Sequence, residues 1–79
     1  MPTIKIPGSA YKFFFYSNER NESAHVHVSR AGREAKFWIR PVALAANWGF
    51  AAHELNKIEK LVIEHESEIE RVWNEHFPS

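Results

Sequence analysis

The hydrophobic period of this chain changes once, near residue 51, and that change limits the folds open to it. Before the change, apolar and polar residues alternate in short runs, as in half-buried strands. "AYKFFFYS" (10–17), "HVHVSR" (25–30) and "EAKFWIR" (34–40) read as strands. "IPGS" (6–9) is an opening turn and "NERNESA" (18–24) a polar loop. Ala31–Gly32 supports a tight turn, with Gly32 able to take φ > 0. After the change, Leu55, Ile58, Val62, Ile69, Val72 and Trp73 recur at helical spacing, with Phe77 closing the series and Pro78 ending it. That pattern predicts one long helix, or two with a bend. "PVALAAN" (41–47) fits either a fourth strand or a helical turn, and Asn47 and Gly49 mark a turn around Trp48. The expected fold is α+β: a small antiparallel sheet of three to four strands with one long, straight or bent, C-terminal helix packed on one face. All 79 residues are expected to form a single domain.

Successive side chains of a strand point to opposite faces. One face therefore collects Phe13, Phe15, Val26, Val28, Ala35, Phe37 and Ile39, an apolar set for the helix to cover. The other collects Lys12, Phe14, Tyr16, His25, His27, Lys36, Trp38 and Arg40. Two imidazoles on a strand, sharing a face with aromatics and bases, need an explanation that the valines between them do not.

The bulk numbers narrow the classes. There is no cysteine, which removes disulfides, a thiol nucleophile and cysteine-type zinc sites. The N-terminus lacks the apolar core of a signal peptide, and no run has the length of a membrane span. A cytoplasmic protein with no membrane partner is expected. A chain this short buries only about 60% of its unfolded surface, so a protein partner or a homo- or hetero-oligomer is expected as well. The net charge of zero hides a division. Seven basic and three acidic residues precede Ala51, giving +4, and three basic and seven acidic residues follow, giving −4. Such asymmetry hints at a side that faces polyanions, although a solvated glutamate-rich helix gives the same numbers.

Three chemistries fit the mixed face. Phe14, Tyr16 and Trp38 among Lys12, Lys36 and Arg40 have the makings of a single-stranded nucleic-acid platform, with aromatics for bases and cations for phosphates. His25 and His27 then make RNA cleavage conceivable. One would take the 2′-hydroxyl proton and the other would protonate the leaving oxygen, with Arg40 or Lys36 stabilising the phosphate charge. A protein interface is the simpler reading, because exposed aromatic and Arg-rich patches are usually interfaces. Metal binding would need a third ligand beside the two imidazoles, and Glu34, Glu22 and His53 are candidates that spacing does not place. No metal and no cofactor is expected. His65 reads as a core-edge residue and His76 as a cation at a helix C-terminus.

"YKFFFYSNE" (11–19), "NESAHVHV" (21–28), "AKFWIRPVALAANWGF" (35–50), "HELNKIEKLV" (53–62) and "WNEHF" (73–77) together resemble the domain-of-unknown-function 4160 family, over nearly the whole chain. The resemblance maps His25 and His27 onto the family's His-x-His and Lys36–Trp38 onto its "KFW". It implies a small bacterial protein, often encoded beside a member of another uncharacterised family (domain of unknown function 2442), the pair resembling a type II toxin–antitoxin operon. No activity comes with the family. Two departures stand out: Ser23 and Ala24 occupy the place of a proline pair, and Ala51 that of a helix-capping serine. The resulting expectation is the toxin half of such a pair, with the histidine face binding or cleaving RNA. The alternative is a non-catalytic interaction module or antitoxin whose same face a partner buries.

Overall fold

A computed structural model describes residues 3–16 and 21–77. Five strands run β1 (Thr3–Ile4), β2 (Lys12–Phe14), β3 (His25–Arg30), β4 (Arg33–Trp38) and β5 (Ala43–Trp48), followed by α1 (Ala52–Glu64) and α2 (Glu66–His76). The strands form one antiparallel sheet in sequence order, each hydrogen-bonded to the next.

The α+β class stands, with two corrections. The sheet has five strands rather than three or four, because a two-residue β1 pairs with β2 and "ALAANW" is a strand. Alanine-rich β5 has weak strand propensity of its own, so its conformation is set by pairing with β4 rather than by local preference. The helical segment is two helices, the bent alternative, rather than one long helix. At His65 the backbone turns to φ −112°, ψ 19° before the second helix begins. Pro78 and residues 17–20 of the expected strand and polar loop lie outside the described residues.

The β3–β4 hairpin fixes the register of everything that matters for the site. Arg30 pairs with Arg33 across the two-residue turn Ala31–Gly32. Both turn residues have positive φ, 52° and 80°, the requirement of the type I′ turn that matches the twist of a hairpin. Gly32 meets it without strain. Ala31 carries the penalty of an L-residue in left-handed conformation, about 1–2 kcal/mol.

The apolar face is the core, as the alternation predicts. Phe13, Phe15, Val26, Val28, Ala35, Phe37 and Ile39 are all buried, and Ile58, Val62, Ile69 and Trp73 of the two helices cover them. Ile4, Ile6 and Phe50 complete the same cluster. Ala51 is the N-cap of α1 and offers no side-chain hydrogen bond to it. In place of a cap, the Asn47 side chain closes the preceding turn, its amide donating to the Phe50 carbonyl and its oxygen accepting the Phe50 N–H, both at 3.0 Å. His76 sits in the last turn of α2, where a cation complements the helix dipole.

Candidate functional site

Six of the eight expected site residues come together on the second sheet face. Phe14 and His27 are cross-strand partners, as are His27 and Lys36, and His25 and Trp38. Tyr16 follows β2 and puts its ring 5.3 Å from Phe14 and 4.6 Å from His27. The two imidazole centroids are 5.2 Å apart. Arg40 and Lys12 stand apart from this cluster. Arg40 lies beyond the end of β4 with φ 67°, and its guanidinium pairs with Glu70 of α2 at 2.7 Å. Lys12 faces Ser29 across the sheet and lines a cleft beside Tyr11.

The face is not the open platform that alternation implied. His25 is 0% exposed and His27 4%. Strand periodicity says which side of a sheet a residue occupies. Exposure depends also on the size of its neighbours, and here they are large. Phe14 stacks on His27 at 5.5 Å with 19° between planes. Trp38 meets His25 edge-on at 5.7 Å. Trp73, from α2, reaches round to His25 at 4.8 Å while also touching Phe15 at 5.1 Å. The helix that covers the apolar face thus closes the end of the histidine face too. Sequence pattern places Trp73 on the core stripe but gives no sign of this second contact.

Polar groups complete the cluster. His27 Nδ1 donates to Glu34 Oε2 at 3.1 Å, and the Tyr16 hydroxyl donates to both oxygens of the same carboxylate at 3.3 Å. His25 Nδ1 donates to the Ser23 carbonyl at 2.8 Å, a bond made by the loop that lacks the proline pair. Because a carboxylate and a carbonyl only accept, both rings carry hydrogen on Nδ1. Lys36 pairs with Glu22 at 2.5 Å and lies 4.7 Å from the Trp38 ring centre. The two cations expected to stabilise a phosphate, Lys36 and Arg40, are each matched by a carboxylate.

Glu34 is the member of the cluster that the sequence pattern places least well. The sequence offers it only as one of three metal-ligand candidates, yet it orients His27 and anchors Tyr16. The signal was in the turn: a two-residue hairpin loop sets His27 opposite Lys36, which puts Glu34 diagonal to His27 on the same face. His53 lies exposed on α1. Among the described residues no group of three or more His, Cys, Asp or Glu is placed to hold a metal ion. No helix among them is long and apolar enough to cross a membrane.

Chemically, the arrangement resembles the oriented half of an acid–base site. A carboxylate on Nδ1 fixes the tautomer of His27 and the orientation of its ring. The aromatic packing around it excludes substrate from the ring as the chain stands.

Comparison with known proteins adds one assignment. Residues 10–74 match the family described as Domain of unknown function (DUF4160), and the chain belongs to that family. The matched span runs from the residues before β2 to near the end of α2, so it includes the whole histidine cluster. No curated protein and no solved structure matches the chain.

Proposed function

We propose that this chain is a protein-interaction module, one half of a two-protein toxin–antitoxin-like pair, and that its partner docks along β5. One observation carries this reading. Strand β5 is an edge of the sheet, six residues long, without a charged side chain, and it exposes Leu44 at 45% and Trp48 at 55%. Exposed edges are normally blunted by charge, proline or brevity, because their unpaired N–H and C=O groups recruit other strands. An uncharged edge with a large aromatic beside it suits a partner that adds a strand and seats an apolar side chain on Trp48. Trp48 pairs with Glu34, and Ala46 with Lys36, so a partner on this edge would sit beside the histidine cluster and help to bury it. The marginal core of a 79-residue chain gives such a partner a stabilising role.

Coexpression with the product of the adjacent gene, followed by copurification, tests this directly. The Leu44→Lys/Trp48→Lys double variant should fold and lose the complex. A complex formed equally well by the double variant contradicts β5 docking.

A second reading, cleavage of RNA by a toxin, is favoured by the His27–Glu34 pair. It needs the aromatic cover to open over His27. Expression of the chain alone, scored by growth and bulk RNA, decides it: His27→Ala should abolish toxicity under this reading and leave it untouched under the first.

A further inference from the structure

The cations that carboxylates leave unmatched gather at the other end of β3. A cleft of about 430 Å³ lies between the turn at Pro7–Gly8 and helix α1, with Arg30, Lys57 and Lys60 in its walls and Tyr11 at its side. A second of about 410 Å³ adjoins it, sharing Pro7, Ser9 and Tyr11, and adds Lys5 and Lys12. Five cations therefore line two adjoining concavities, and no carboxylate lines either. None of the five has an ion-pair partner among the described residues. Glu54 lies one turn of α1 before Lys57. It accepts the Tyr11 hydroxyl at 3.1 Å on one oxygen, and its other oxygen pairs with Arg33 at 3.3 Å, so its charge is already offset.

We propose that these two clefts form a groove for single-stranded nucleic acid, separate from the β5 edge and from the histidine cluster. Each cleft has the volume of a small-ligand site, and their shared wall at Tyr11 suits consecutive units of one polymer. Lysines on both sides track a phosphate backbone. Arg30 lies over the Tyr11 ring, 5.6 Å from its centre, and the pair offers the flat faces on which bases stack. An acidic peptide would use the cations but not these faces, and a free phosphate would use one cleft only.

The test is fluorescence anisotropy of the full chain with labelled oligouridylate at rising salt. Binding should weaken linearly on a log–log plot, each neutralised phosphate contributing a slope of about 0.7. Lys57 and Lys60 are exposed on α1, so Lys57→Gln/Lys60→Gln should retain the wild-type circular dichroism and lower that slope by about 1.4. Arg71→Gln, on the far helix, should bind as wild type does. The proposal is overturned by absence of binding at low salt, or by an unchanged slope in the Lys57/Lys60 variant. It is equally overturned if uridine monophosphate or a polyglutamate peptide competes as well as unlabelled oligouridylate does. Failure here leaves the β5 reading intact, because that rests on a copurification with different variants.

Discussion

Strand β3 begins in a sealed cluster and ends in an open cleft. At one end, His25 is fully buried under Trp38 and Trp73. At the other, Arg30 is exposed beside Pro7–Tyr11 and the lysines of α1. The two ends belong to one strand of six residues, and the difference comes from what surrounds them. Around His25 and His27 stand Phe14, Tyr16, Trp38 and Trp73, rings large enough to cover an imidazole. Around Arg30 stand Gly8, Ser9 and Ala10, which leave a concavity, with a single ring, Tyr11, at its side. Polar residues surrounded by large rings become part of the interior. A polar residue beside mostly small neighbours, as Arg30 is, stays exposed.

The largest effect expected from this contrast is on stability. Trp73→Ala removes the ring that touches both Phe15 and His25 and should cost about 3–5 kcal/mol, a large share of the stability of so small a domain. His25→Ala should cost about 2–4 kcal/mol, since it opens a cavity and abandons the Ser23 carbonyl. By contrast Lys57→Gln/Lys60→Gln should stay within about 0.5 kcal/mol of wild type. Urea unfolding of the three variants measures all of this. A His25→Ala protein as stable as wild type would break the comparison at its closed end.

Glu34→Gln sharpens it. The carboxylate is partly exposed, at 29%, so losing its charge on His27 and Tyr16 should cost only about 1 kcal/mol. The histidine cluster should nevertheless loosen, seen as faster exchange of the His27 ring protons by NMR.

The smallest effect concerns Tyr11, at the open end. Burial first, then its hydrogen bond to Glu54, raises its pKa above the ordinary 10.0. The folded chain therefore holds that proton more tightly than the unfolded chain does. The associated stability is complete below pH 10 and is lost as pH rises through the higher folded-state value. Tyr11→Phe should lack this alkaline component, so the stability difference between the two proteins should change only above about pH 10, by denaturant titration.

Much of this was legible in the residues. Strand β3 and the seven apolar residues of the core face follow from alternation alone. The onset of α1 follows from the change of period at Ala51. Three features were not legible, each for a physical reason. Strand β5 is held by its ladder to β4, and "ALAANW" has no local preference that announces it. A bend in the helical stretch is among the sequence's alternatives, but its place is not, because neither glycine nor proline marks His65 and the apolar stripe runs on from Val62 to Ile69. The burial of His25 draws on Trp73, which lies 48 positions away from it in sequence and meets it only through the fold.

The central claim is that the histidine pair is interior in the free chain. Diethyl pyrocarbonate modification, followed residue by residue in peptides, tests it against internal references. His53 and His76 are exposed and should react at once, and half-buried His65 more slowly. His25 and His27 should react only as fast as the chain unfolds, and Trp73→Ala should accelerate both. Modification of His25 or His27 at the rate of His53 in the wild-type chain would contradict the account.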